Sequence, residues 1–277
     1  MLVVQVALVS DTKAVSASEV TRVGAALQKQ AVRDFAPLWG IRATVDPFVQ
    51  LEDVPIGYWP IIVRDDIKTE GAAGIHLDKD GQPFALVQYD EGWSLTASHE
   101  CLEMLADPYG NRLIAGKSVK QGQGRVEYLV EVCDPSEAAE FAYTVNGVTV
   151  SDFYTPHFFD PKKAEGVRYS YTGAITEPRQ VLRGGYLSWH HPPSDHWWQL
   201  RWFGAQKQFS DLGPLARGTE SLRSQIDRKT SKEQLRAERG PKKRPLLTSL
   251  TAAASTDEST SAKAASWQSQ IQALLKK

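Results

Sequence analysis

Cysteine is scarce in this chain, with only Cys101 and Cys133 among 277 residues. Two thiols cannot staple a disulfide-built fold, so a packed core must hold the chain together, and the length allows one. Whether the two pair is left open at this point. No apolar run approaches the ~18 residues needed to cross a bilayer. The opening MLVVQVALVS is apolar but short, lacks a basic flank and shows no cleavage site before Asp11. It reads as a first strand and not as a signal peptide, with a cytoplasmic setting as the default. Internal repeats are absent, and Gly122-Gln123-Gly124 lacks the Lys-Ser/Thr pair of a phosphate-binding loop. Neither sign of charge dominates: 32 Lys and Arg face 33 Asp and Glu. That balance conceals a split. Residues 1–204 hold 18 basic and 26 acidic side chains, whereas residues 205–277 hold 14 and 7. An acidic body, 1–204, is thus set apart from a basic tail, 205–277, partly disordered or helical, which suits an anionic partner or the body itself. No membrane partner is expected, nor a nucleic acid, for which Lys242-Lys243-Arg244 is the only pointer.

Periodicity fills the body with strands and helices. Residues 2–9 read as a buried strand. A helix over 18–36 has Val20, Val23, Ala26, Leu27 and Ala31 at helical spacing, capped by Ser16 or Ser18 and closed by Pro37 and Gly40. Strands follow at 41–49 and 59–66, then at 73–78 and 83–90 around the turn Lys79-Asp80-Gly81. A second helix, 94–106, ends at Asp107-Pro108 and Gly110. The expected class is α/β (α+β), a mixed sheet with its last helix behind it. Further on, 125–133 reads as a strand or short helix, 143–154 as a hairpin on Asn146-Gly147, and 160–204 shows no clear period. In the tail, 218–239 reads as a solvated helix, 240–245 as a basic breaker and 251–266 as a low-complexity segment. Trp267, Ile271, Leu274 and Leu275 share one helical face. The cluster SWHHPPSDHWWQLRWF (188–203) offers histidines for a second metal site and tryptophans for stacking on sugars or bases. Its proline pair and apolar density favour a loop folded onto the body.

The chemistry concentrates in SHECLEMLADP, 98–108. On a helix turning about 100° per residue, Ser98, Cys101, Leu102, Leu105 and Ala106 form the buried stripe. His99, Glu100, Glu103 and Asp107 then share one contiguous polar face. No Lys or Arg lies between Lys79 and Arg112, while Asp80, Asp90, Glu91, Glu100, Glu103 and Asp107 do. Carboxylates gathered without cations favour a bound cation or raised pKa values. His99 and Glu103, spaced i, i+4, project side by side and can grip one metal ion, while Glu100 is turned to the side to take a proton from water. Asp107 either orients His99 or bonds the backbone amides of 108–112. Cys101 and Cys133 read as structural. The plain alternative is a surface helix that happens to contain HECLE.

This segment resembles the active-site helix of zincin metallopeptidases, in an H-E-x-x-E variant with Glu103 in place of the usual second histidine. The string S-H-E-x-x-E-x-x-x-D-P, with Glu131-Val132-Cys133, is also similar to EXORDIUM-like, phosphate-induced proteins over 94–136. The zincin resemblance implies an antiparallel edge strand above the metal helix, on which extended peptides pair, and residues 73–78 stand in its place. It implies one zinc ion with three protein ligands, and hydrolysis of a peptide or protein substrate with Glu100 as general base. His99 and Glu103 are then two of the ligands. For the third, Glu131 lies in a stretch, 126–161, without Lys or Arg, and one zincin branch completes its site with a later glutamate. His157 is the rival, giving two histidines and one carboxylate. If Glu131 is the ligand, His157 or Tyr154 is left to stabilise an oxyanion. The plain alternatives are an ion pair for Glu131 and, for His157, a loop histidine packed by Phe158 and Phe159. A different function, a non-catalytic scaffold or binding protein with a structural metal, fits the same residues.

Overall fold

The computed structural model of the chain describes residues 3–230 except 70, 71, 80, 217 and 219. Strand β1 (Val4–Ser10) is an inner strand of the first sheet, between two parallel neighbours, and is covered on both faces, which explains the apolar run from Val6 to Val9. Val6 and Leu8 enter the main core, while Ala7 and Val9 pack with Phe48 in a smaller cluster beneath Val54 and Tyr58. Helix α1 (Ala17–Lys29) starts at Ser16, whose Oγ accepts the Glu19 amide at 3.2 Å. It runs on through a π-wound turn, Gln30–Phe35, into α2 (Ala36–Trp39). Pro37 does not close the helix as expected. It sits in the first turn of α2, directly after the π-wound turn, and Gly40 at φ +69° ends the run.

Strands β2 (Ala43–Phe48), β3 (Trp59–Arg64), β4 (Gly74–Lys79) and β5 (Gln82–Gln88) complete this sheet in the order β2-β1-β3-β5-β4. All its pairings are parallel except that of β4, which runs antiparallel to β5 along the edge, as anticipated for 73–78. Helix α3 (Trp93–Ala106) packs behind β3, β4 and β5.

A second sheet, all antiparallel, was not legible in the periodicity. Strands β6 (Leu113–Lys117) and β7 (Arg125–Leu129) come first, then the small hairpin β8 (Tyr143–Val145) and β9 (Val148–Val150) stands apart on Asn146 and Gly147, both at positive φ. Strands β10 (Tyr186–His191), β11 (His196–Arg201) and β12 (Gln208–Gly213) finish the second sheet, ordered β12-β11-β10-β7-β6. The supposed loop at 188–203 is therefore mostly a hairpin. Its period was masked because Ser188 and Gln199 occupy buried positions opposite each other, with Gln199 Nε2 donating to Ser188 Oγ at 3.1 Å. One core joins the two sheets: Ile61 and Val63 of the first and Tyr128 and Trp189 of the second belong to it with Leu102 of α3.

The change of charge at 204/205 does not bound the fold, which corrects the division into a body of 1–204 and a tail. Strand β12 pairs with β11, and helix α4 (Leu222–Lys229) seats Ile226 against Leu129 and Trp197. The rest of the expected helix to 239, the breaker at 240–245, the low-complexity stretch 251–266 and the face around Trp267 lie outside the described residues. Among the described residues no helix is long and apolar enough to cross a membrane.

Candidate metal centre

Helix α3 is apolar enough to be buried nearly all round: 11 of its 14 residues are buried. The predicted stripe is in place, but so is the acidic face, with Glu103 at 0% and Glu100 at 3% exposure. A surface helix is thereby excluded. As the i, i+4 spacing required, His99 Nε2 lies 3.3 Å from Glu103 Oε2. The same nitrogen lies 3.3 Å from Asp134 Oδ1. Asp134 and Glu131 come from the segment after β7, which is tied to the helix by the Cys133 amide donating to Glu103 Oε1 at 3.2 Å.

Two further elements close the cluster. From the edge strand β4, His76 places Nδ1 3.4 Å from Glu100 Oε2, and its Nε2 lies 3.2 Å from the Asp107 carbonyl. A carbonyl only accepts, so Nε2 carries the proton. This approach needs Gly74, because a Cβ there would lie 2.6 Å from Glu100 Oε1. From α4, Arg223 Nη1 donates to Glu103 Oε2 at 2.5 Å and also to Glu131 Oε2, while Nη2 lies 3.8 Å from Glu100. Helix α4 is held there by the turn after α3: the Leu222 amide donates to Asn111 Oδ1 and the Arg223 amide to the Gly110 carbonyl.

Burial opposes charge throughout this cluster, and local partners decide the outcome. At His99, burial lowers the pKa, but Glu103 and Asp134 outweigh it and hold the imidazole well above its ordinary range. Glu100 is held below the usual carboxylate range against burial, through His76, Arg223 and His99. Glu103 is pulled down in the same way by His99 and Arg223. Burial and the charge of Glu103 push Asp134 well up. Tyr154 is also raised well above the ordinary phenol, by burial and then by Glu103 and Asp134, so its hydroxyl senses the cluster.

These residues fit a divalent ion by two observations. Four buried acidic side chains (Glu100, Glu103, Glu131 and Asp134) gather around two imidazoles and a single guanidinium, a donor set rich in the oxygen and nitrogen ligands a divalent ion takes. Glu131 Oε1, in a residue only 5% exposed, has no hydrogen-bond partner among the described residues. Ligand atoms lie within 4.8 Å of one another in four groups: His99 with Glu103 and Cys133; His76 with Glu100 and Glu103; His99 with Asp134 and Glu137; and Glu103 with Glu131 and Asp134.

The predicted residues therefore divide. His99, Glu100, Glu103 and Glu131 are brought together, although no single group contains both His99 and Glu131. His157 is not brought in. It stands on the surface turn Pro156–Phe159, its side chain 58% exposed and its Nδ1 2.9 Å from Asp160. Asp107 follows the second expectation, its Oδ2 accepting the Arg112 amide at 2.7 Å. Both cysteines are free and buried, and burial pushes the Cys101 thiol up to about 12. In the 188–203 hairpin, His190 bonds Glu127 and Asp195 while His196 bonds Asp211, and neither joins a metal group. Sequence reasoning missed His76, Asp134 and Arg223. Asp134 directly follows the Glu131-Val132-Cys133 element, which was its signal. His76 sits in the strand already marked as lying over the helix. For Arg223 the only pointer was the opposite charge of body and tail. Comparison of the chain with protein-family models, with curated proteins and with solved structures finds no match.

Proposed function

We propose that this chain is a metal-dependent hydrolase acting on peptide bonds, with zinc as the ion best suited to one imidazole among carboxylates. The observation that carries the reading is the convergence of His99, Glu103, Glu131 and Asp134 beneath an antiparallel edge strand. His99 and Glu103 would hold the ion from α3 and Glu131 from the segment after β7, with Asp134 alongside. Such an ion supplies Lewis acidity, which acidifies water and polarises a carbonyl.

The chain supplies the remaining parts. Glu100, next to both His99 and the edge strand, accepts the proton of the attacking water and returns it to the leaving amine. His76 Nδ1 stands 3.4 Å from the Glu100 carboxylate, on the edge-strand side of the site. The outer edge of β4 offers backbone groups to an extended peptide. Tyr154, whose buried hydroxyl has no hydrogen-bond partner among the described residues, is the group left to donate to the oxyanion, since the His157 side chain is exposed and paired with Asp160. The free thiols of Cys101 and Cys133 suit a reducing, cytoplasmic setting.

The test is Glu100→Gln, which is expected to keep bound zinc, measured by mass spectrometry, while hydrolysis of a peptide library falls by about 10²–10⁴-fold. Turnover equal to that of the unaltered chain would remove Glu100 from the mechanism. A second reading is favoured by one observation, the Arg223 ion pair across Glu103 and Glu131. In it, the cluster only holds the fold, as a scaffold or binding protein. Loss of thermal stability on chelation without hydrolysis of any peptide would select that reading.

A further inference from the structure

Arg223 stands where a cation would stand, and it comes from the last described helix. Its Nη1 bonds Glu103 Oε2 and Glu131 Oε2, the carboxylates that the metal reading needs. A divalent ion at ~2.0–2.2 Å from carboxylate oxygens would fall within bonding distance of that nitrogen, and two cations cannot share the position. The guanidinium also bridges Glu103 to Glu131, and with it in place His99 and Glu131 are not grouped together although each is grouped with Glu103.

We propose that Arg223 and a divalent ion are alternative occupants of the same carboxylates, so that α4 closes the site and withdraws when metal enters. This rests on the metal reading above. The seat of α4 suits an element that opens. It is a helix of 8 residues with one apolar cluster, Ile226 against Leu129 and Trp197. Its N-terminus is fastened to Asn111 and Gly110 in the turn that follows α3, so its release does not require the sheets to move. Withdrawal without replacement would strand buried carboxylates, and an entering ion supplies the missing charge. The two events are therefore coupled, and each favours the other by the same factor.

The experiment uses the full chain, stripped with chelator and titrated with Zn²⁺ alone by calorimetry, beside Arg223→Ala and Gly110→Ala. A Cβ at Gly110 would lie 2.9 Å from Arg223 Cβ at a backbone φ of +59°, so this variant dislodges α4 while leaving every carboxylate in place. The expected result is zinc affinity raised by about tenfold or more in both variants, as follows when the open state is a minor one. In the unaltered chain, zinc is expected to speed amide hydrogen exchange across residues 221–230. Should Arg223→Ala fail to fold, Gly110→Ala and the exchange measurement decide. Equal affinities with exchange in α4 unmoved by zinc would overturn the alternation and leave the metal reading standing. No zinc bound by any of the three chains would overturn both.

Discussion

At Gly74 the edge strand and the metal helix come so close that a Cβ would meet Thr96 Cγ2 and Glu100 Oε1, each at 2.6 Å. The absence of a side chain there sets the distance between His76 and Glu100. Gly74→Ala is expected to lower stability by about 1–3 kcal/mol, the usual effect of overpacking, as read by urea unfolding. An unchanged midpoint would mean that β4 shifts outward freely and does not position Glu100. At this scale the sequence was legible where chemistry depends on near neighbours. The i, i+4 relation of His99 and Glu103 is a property of any helix, so their contact could be stated from spacing alone. The contacts of Glu103 with Cys133 and Arg223 span 30 and 120 residues, and no local rule reaches that far.

The π-wound turn Gln30–Phe35 shows what an element adds beyond its residues. Its extra width turns both Gln30 and Asp34 inward, to 0% and 2% exposure. Gln30 Oε1 accepts from Ser98 Oγ at 2.9 Å and its Nε2 donates to the Ser151 carbonyl, locking the turn to α3 beside His99. Asp34 accepts from Arg33, Tyr143 and Tyr171. Burial alone would raise this carboxyl, yet Arg33 and the two phenols hold it below the ordinary aspartate range. Because the folded value lies below the unfolded one, the network stabilises the fold above about pH 4 and loses that contribution as pH falls through the folded value. Asp34→Asn is therefore expected to unfold at lower urea than the unaltered chain at pH 7, with the gap closing toward pH 3. A gap independent of pH would show that the Asp34 charge contributes nothing. Among elements, the parallel strands and both long helices were legible because each has one dominant period. The β10–β11 hairpin was not, because a buried Ser–Gln pair interrupts its apolar face.

At the scale of the molecule, the contrast between the acidic residues 1–204 and the basic remainder is partly an internal arrangement. The basic part sends Arg223 into the acid cluster, while β12 and α4 cover Trp197 and Leu129. Ending the chain after Gly204 removes the partner of two buried carboxylates, a loss of about 3–5 kcal/mol, and is expected to lower the melting temperature by on the order of 10 °C. Calorimetry that finds no change would mean that the first 204 residues stand without this cover. The long separation of these partners also sets an order in time. Glu103 and Glu131 leave the ribosome 120 and 92 residues ahead of Arg223. At ~5–20 residues per second that head start lasts roughly 5–25 s. For that interval the nascent chain carries its carboxylates without their guanidinium, and a metal ion in the surrounding water has first access to them.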